Sequence, residues 1–233
     1  MQQFYTPDID ADIKTHAFNE NESKHIARVL RKKSGDTIRL TNGKGLILYG
    51  ILEVNSPKHC SITITSTEFV NTPETYVHMA VAPTKNMDRF EWFLEKATEL
   101  GVQRITPILC DRSERKQLKT ERCEKIIEAA LKQSLRAHKP ILDPLTRLKE
   151  LNTSASISCI AHCENTDKEK LQRVVSQQSN VCILIGPEGD FSKKEITWAK
   201  ELGIKAVDLG NARLRTETAA LVACHTVLLI NES

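Results

Sequence analysis

The chain has 233 residues, 40% of them hydrophobic and 27% charged, with a formal charge of +3. That length allows one large α/β domain or a small domain joined to a medium one, and the mild positive charge excludes a polycation while permitting a local basic face. Seven cysteines, odd in number and without a Cys-x-x-Cys pair, exclude a disulfide framework and read as reduced core thiols.

From the N-terminus, residues 22–33 read as a helix, with Ile26, Val29, Leu30 and the stem of Lys33 on one side. His25, Arg28 and Lys32 then share the opposite face, with Arg31 at its border. Such a cationic stripe suits a phosphate backbone, although a solvated helix face has the same composition. Residues 37–40 and 46–54 are β-rich and flank Thr41-Asn-Gly-Lys-Gly45, a hairpin connection. Residues 59–70 alternate, Ile62 and Ile64 against Thr63 and Thr65. Short strands with turn signals predict a small barrel, and Asn71-Thr-Pro-Glu74 reads as a linker.

From Tyr76 onward strand and helix alternate. Strands are predicted over 77–82, 105–109, 157–161, 181–185 and 206–209, and helices over 87–100, 121–138, 168–176, 192–202 and 217–230. The helix over 87–100 carries Phe90, Phe93, Leu94 and Ala97 at i, i+3, i+4 and i+7 and stops at Gly101. That over 192–202 opens with the capping box Ser192-Lys-Lys-Glu195. The alternation predicts a parallel sheet covered on both faces. The last helix is interrupted by His225 and Thr226, short of the roughly 20 apolar residues of a membrane span. No secretory signal is read at the N-terminus, so a soluble cytoplasmic chain without membrane contact is expected.

Ligands of open parallel sheets bind at the carboxyl ends of the strands, and two loops there have distinctive composition. Gly186-Pro-Glu-Gly-Asp190 follows the strand ending at Ile185. Glycine opens backbone conformations closed to other residues, proline stiffens the turn, and the carboxylate of Glu188, read as facing inward, exceeds what a plain turn needs. Leu209-Gly-Asn-Ala-Arg-Leu-Arg-Thr-Glu-Thr-Ala-Ala220 brings Thr216 to a helix start as a cap, with Arg215 and Glu217 beside it. An Arg there can hold a phosphate or stabilise charge on a reacting base, or simply pair with the Glu at the surface. Neither GxGxxG nor GxxxxGK[ST] occurs, which leaves dinucleotide and P-loop sites unsupported. Cys159, His162 and Cys163 lack the second ligand pair of a structural zinc site, and no metal is expected.

Ile183-Leu-Ile-Gly-Pro-Glu-Gly189, then Leu209-Gly210 and Leu214-Arg-Thr-Glu-Thr-Ala219, resemble the SPOUT methyltransferases, specifically the ribosomal RNA small-subunit methyltransferase E family. His25-Ile-Ala-Arg-Val-Leu-Arg31 is similar to that family's basic motif, Lys96-Ala-Thr-Glu-Leu-Gly-Val102 to its central helix, and Gln133, Ser134, Arg136 and Pro140 to its long-helix pattern. The chain departs from the pattern at Asp190, where a second Gly is usual, at Gln3, where many members carry Arg, and at Ala212 and Arg213.

The resemblance implies an α/β fold: a small PUA-like β-barrel RNA-binding domain over 1–72, then a SPOUT-type α/β domain over 73–233 with a C-terminal trefoil knot. It implies a homodimer that methylates uridine N3 in 16S ribosomal RNA, within an assembled small subunit, using S-adenosyl-L-methionine. Ile185, Gly186, Glu188, Gly189, Leu209, Gly210, Leu214 and Arg215 are the expected cofactor-binding residues. Arg215, with Glu217 or Glu188 orienting it, is the expected catalytic group, and His25, Arg28, Arg31, Lys32, Lys85 and Arg89 are the expected RNA contacts. Two other readings fit the same residues: an enzyme of this fold with a different RNA target, and a non-catalytic RNA-binding or ribosome-assembly factor.

Overall fold

The computed structural model describes residues 1–152 and 155–232. They form two compact units, the first comprising Met1–Thr72 together with Leu131–Lys139, the second Pro73–Ala130 and the residues from Pro140 on.

In the first unit, strands β1 (Gln2–Tyr5), β2 (Thr15–Ala17), β3 (Thr37–Thr41), β4 (Leu46–Ser56) and β5 (His59–Phe69) form one sheet in the order β1-β3-β4-β5-β2. β1 runs parallel to β3, and the other pairs are antiparallel. Strand alternation sends Ile38, Leu40, Leu48, Leu52 and Ile62 to one buried face, where they meet Phe4, Phe18 and Ile26. At the β3–β4 turn Gly45 has φ 98°, and a Cβ there would come 2.5 Å from the Val70 carbonyl oxygen. Only glycine fits.

The helix expected over 22–33 is shorter and of two kinds. Asn19 caps α1 (Glu20–Lys24), its side chain accepting the Glu22 N–H at 2.9 Å, and a π-helical turn follows over His25–Val29. The Leu30 N–H reaches back five residues to the His25 carbonyl, at 2.9 Å. This wider turn shifts the side-chain phase, so Val29, expected in the core, is 66% exposed while Ile26 stays buried. Arg31, at φ 52°, ends the segment. Gln3 is buried, and its Nε2 donates to the carbonyls of Leu131 at 2.9 Å and Arg136 at 3.0 Å. It serves the fold of the first unit.

The second unit contains β6 (Val77–Val81), α2 (Met87–Leu100), β7 (Arg104–Leu109), α3 (Thr120–Gln133, whose residues from Leu131 on belong to the first unit), β8 (Ile141–Leu142), β9 (Thr146–Arg147), β10 (Ile157–Ala161), β11 (Glu169–Lys170), α4 (Leu171–Val174), β12 (Val181–Ile185), α5 (Lys193–Glu201), β13 (Lys205–Asp208) and α6 (Thr216–Glu232). Its strands pair in parallel in the order β11-β13-β10-β12-β6-β7-β8, with β9 also on β7. Alternation divides the buried residues between two faces. Met79, Val81, Ile183 and Ile185 pack with Phe90, Phe93 and Ala97 of α2 and Ala220, Ala223 and Val227 of α6. Ala80, Cys182 and Leu184 pack with Phe191 and with Ala199 of α5. Helices thus cover both faces, as a parallel sheet requires. No helix of the described residues is long and apolar enough to cross a membrane.

Two predicted helices are shortened. The one expected to reach residue 138 stops at Gln133, because Leu135 takes φ 56° and the Arg136 N–H closes on the Leu131 carbonyl at 3.2 Å. The one expected over 168–176 keeps only α4, because Glu169 and Lys170 are drawn into pairing with Val207 and Asp208 of β13.

Candidate active site

The two loops singled out in the sequence do not follow neighbouring strands. β10 lies between β12 and β13, with Ala161 paired to Ile185 on one side and to Val207 on the other. The carboxyl ends of three strands therefore meet, and their loops enclose a cavity of about 750 Å³, within the range of small-ligand sites. Ala161, Ile185, Val207, Leu209, Leu214 and Ala219 supply its apolar wall. His162, Lys168, Glu188, Asp190, Asp208, Arg213 and Arg215 supply the polar one.

The loop after β12 is held at every turn. The Asp190 N–H donates to the Pro187 carbonyl at 2.9 Å, and Asp190 has φ 62°, a left-handed conformation that Asp tolerates better than most residues. Glu188 is exposed, not inward as expected, yet its Oε1 accepts the Lys85 N–H at 2.9 Å. Gly189, expected at the cofactor, is not among the residues lining the cavity, and its carbonyl accepts from Arg112 Nη1 at 2.9 Å. The capping box at Ser192 is present. Buried Glu195 accepts the N–H groups of Ser192 at 2.7 Å and Asp111 at 2.8 Å, which fixes the start of α5 against the loop after β7.

After β13, Asp208 Oδ1 accepts the Gly210 N–H at 3.1 Å, and Gly210 has φ 130°. Thr216, expected as a cap, opens α6 itself; its buried hydroxyl donates to the Gly186 carbonyl at 3.1 Å and joins the two predicted loops. Arg215 is exposed and lines the cavity with Glu188. Glu217 is only 9% exposed and lies outside the lining residues, its Oε1 3.9 Å from Arg89 Nε. Of the three expected catalytic residues, the cavity brings together Arg215 and Glu188.

The expected RNA contacts are distributed as follows. His25, Arg28 and Arg31 are exposed on the first unit, and Lys32 is half-buried, 3.7 Å from Asp36. In the second unit Lys85 Nζ pairs with Glu114 at 2.8 Å, and the Lys85 carbonyl accepts from Arg115 at 2.6 Å.

The loop after β10 also lines the cavity, through His162 and Cys163. In the sequence these residues stand out only as candidate metal ligands with Cys159, whose side chain is buried in the sheet core. Among the described residues no three His, Cys, Asp or Glu groups could hold a metal ion. The available signal was position: both follow an apolar strand at its carboxyl end. Cys163 donates its N–H to Asp190 Oδ2 at 2.9 Å, and Lys168 Nζ donates to the carbonyls of His162 at 2.9 Å and Glu164 at 3.0 Å.

Residues 71–228 match the model of an RNA methyltransferase domain, and residues 18–65 that of an RNA methyltransferase PUA domain. The ribosomal RNA small subunit methyltransferase E of Rickettsia conorii is 28% identical over 224 residues, which cover 93% of this chain and 90% of that one. A probable rRNA-methyltransferase from Porphyromonas gingivalis superposes with a TM-score of 0.91 at 36% identity, over 100% of this chain and 99% of that one. The ribosomal RNA small subunit methyltransferase E of Neisseria gonorrhoeae, solved bound to S-adenosyl methionine, gives a TM-score of 0.86 at 26% identity, over 99% and 98%. With a parallel sheet whose strand ends enclose a ligand-sized cavity and a family model matching well over half its length, this chain belongs to the RNA methyltransferases, in the ribosomal RNA small-subunit methyltransferase E family.

Proposed function

We propose that the protein methylates N3 of a uridine in 16S ribosomal RNA, in the assembled small subunit, with S-adenosyl-L-methionine as methyl donor. The observation that carries the reading is one cavity walled by both recognised motifs, with Arg215 on its rim. The cavity suits that cofactor in size and in its mixture of apolar wall and convergent polar groups. At Gly186 a Cβ would come 3.0 Å from the Phe191 ring, so only glycine leaves the wall its present shape. Ile185, Gly186, Glu188, Leu209, Gly210, Leu214 and Arg215 would hold the cofactor, and Gly189 would support the first loop from behind through Arg112.

When bound, the cofactor supplies a methyl group activated by its sulfonium. Loss of the uridine N3 proton to water spreads negative charge over the pyrimidine, and Arg215 stabilises that charge. Glu188, anchored on the Lys85 N–H, orients the guanidinium from the same cavity. Glu217 acts at one remove, placing Arg89. His25, Arg28, Arg31 and Lys32, with Lys85 and Arg89, position RNA phosphates, and the uridine is read single-stranded or flipped out.

Residues 1–72 serve as the RNA-binding domain and 73–233 as the methyltransferase domain. Their C-terminal part is read as a trefoil knot, which the return of the chain from β13 past β10 to the Thr216–Gly186 contact supports. A homodimer belongs to the same reading, as the family resemblance implies. A cytoplasmic setting agrees with seven free cysteines.

Mapping methylated uridines in ribosomal RNA from cells lacking and then regaining the gene tests the function. One 16S uridine should lose and regain its N3 methyl. A change at another RNA would point to a different target, and no change anywhere to a non-catalytic assembly factor.

A further inference from the structure

The loop after β10 carries a side chain that neither motif accounts for. His162 is 7% exposed and lines the cavity, yet neither Nδ1 nor Nε2 has a hydrogen-bond partner. Buried polar groups are ordinarily paired, and an imidazole left without partners at a ligand cavity marks a place where a ligand atom completes the pairing. The peptide after His162 is fixed on both sides: Lys168 Nζ grips the His162 carbonyl and Asp190 grips the Cys163 N–H, which ties this backbone to the loop after β12.

Building on the cofactor reading above, we propose that His162 binds the nucleoside half of S-adenosyl-L-methionine through one hydrogen bond, a ring nitrogen turning to meet a neutral hydroxyl, amine or ring nitrogen of the ligand. The chemistry selects that half over the amino-acid half. Burial, reinforced by the Lys168 ammonium, lowers the His162 pKa, although Asp190 and Glu164 act in the opposite direction. The ring is therefore a neutral donor–acceptor pair, matched to a neutral partner rather than to a carboxylate or an ammonium. The apolar residues beside it, Ala161 and Val207, suit a flat heterocycle.

Calorimetry with three probes tests this: S-adenosylmethionine, 5′-methylthioadenosine and methionine. His162→Ala should weaken the first two by a common factor of about three to ten, the worth of one neutral hydrogen bond, and leave methionine unchanged. His162→Asn, which retains a donor and an acceptor, should recover part of the loss. Unchanged 5′-methylthioadenosine affinity in a variant with the wild-type unfolding midpoint overturns the assignment. If His162→Ala unfolds, ring ¹⁵N resonances of wild-type His162 decide: they should move on adding 5′-methylthioadenosine, and resonances that stay put overturn it. Wild-type protein that binds S-adenosylmethionine while the variants bind it equally well refutes only the role of His162. Wild-type protein that binds none of the probes refutes the methyl-transfer reading itself.

Discussion

Asp190 accepts the backbone N–H of Cys163 at 2.9 Å while holding a left-handed backbone, φ 62°. Its other carboxylate oxygen takes the Phe191 N–H at 2.8 Å. A glycine would adopt this conformation freely, so Asp at this position exchanges backbone ease for a bond that ties the loop after β12 to the loop after β10. Asp190→Ala should lose the bonds and keep the strain, destabilising the protein by about 2–3 kcal/mol. Asp190→Gly should lose the bonds but relieve the strain, at a cost nearer ~1 kcal/mol. Urea denaturation of both variants checks the order; equal losses would mean the left-handed backbone contributes nothing.

Arg215→Ala should lower the rate of methyl transfer by about 100-fold or more while weakening S-adenosylmethionine binding far less, since it is one of several residues that hold the cofactor but the one that meets the charge developing in the reacting base. Single-turnover kinetics and calorimetry on the same preparation separate the two. A rate within twofold of wild type on small subunits removes Arg215 from the chemistry.

Replacing Arg28 and Arg31 together by Gln should weaken RNA binding and reduce the slope of log K against log salt by about 1.5–2, as for two lost phosphate contacts. Both residues are exposed, so stability should hardly change. An unaltered slope would leave them as ordinary solvated charges.

His78 on β6 is buried, its Nε2 2.6 Å from the Thr106 hydroxyl, which also bonds Asp143. Burial, helped by Arg104 and opposed by Asp143, lowers its pKa to about 4. The unfolded chain then binds the extra proton first, so the His78 contribution is complete above the ordinary value near 6.5 and is lost as pH falls towards 4. Unfolding free energy should drop by about 2–3 kcal/mol across that window from this group, and His78→Gln should flatten the slope. A variant with the wild-type pH profile would place the titration elsewhere.

Much of the second unit is legible in the sequence because its signals are local. Met87–Leu100 can be read to the residue: Phe90, Phe93, Leu94 and Ala97 set the face, Asn86 accepts the Asp88 N–H, and Gly101 takes φ 99° to end the helix. Val181–Ile185 is equally plain as an all-buried strand. What escaped the reading depends on the backbone or on distant partners. Val29 left the core through a hydrogen bond that skips one residue further than an α-helix, which side-chain periodicity cannot register. Glu169 and Lys170 became strand because β13, more than thirty residues later, pairs with them. The place of His162 is hidden in the sequence because chain order puts its loop before both motifs, whereas sheet order puts it between them.

The bond from the Thr216 hydroxyl to the Gly186 carbonyl also sets a timetable for the nascent protein. Thr216 and Ala219 belong to the cavity wall, so a nascent polypeptide that has emerged only through β13 has the sheet edge but lacks part of that wall. The cavity is therefore completed only once α6 has emerged and its first residue has closed on the loop after β12.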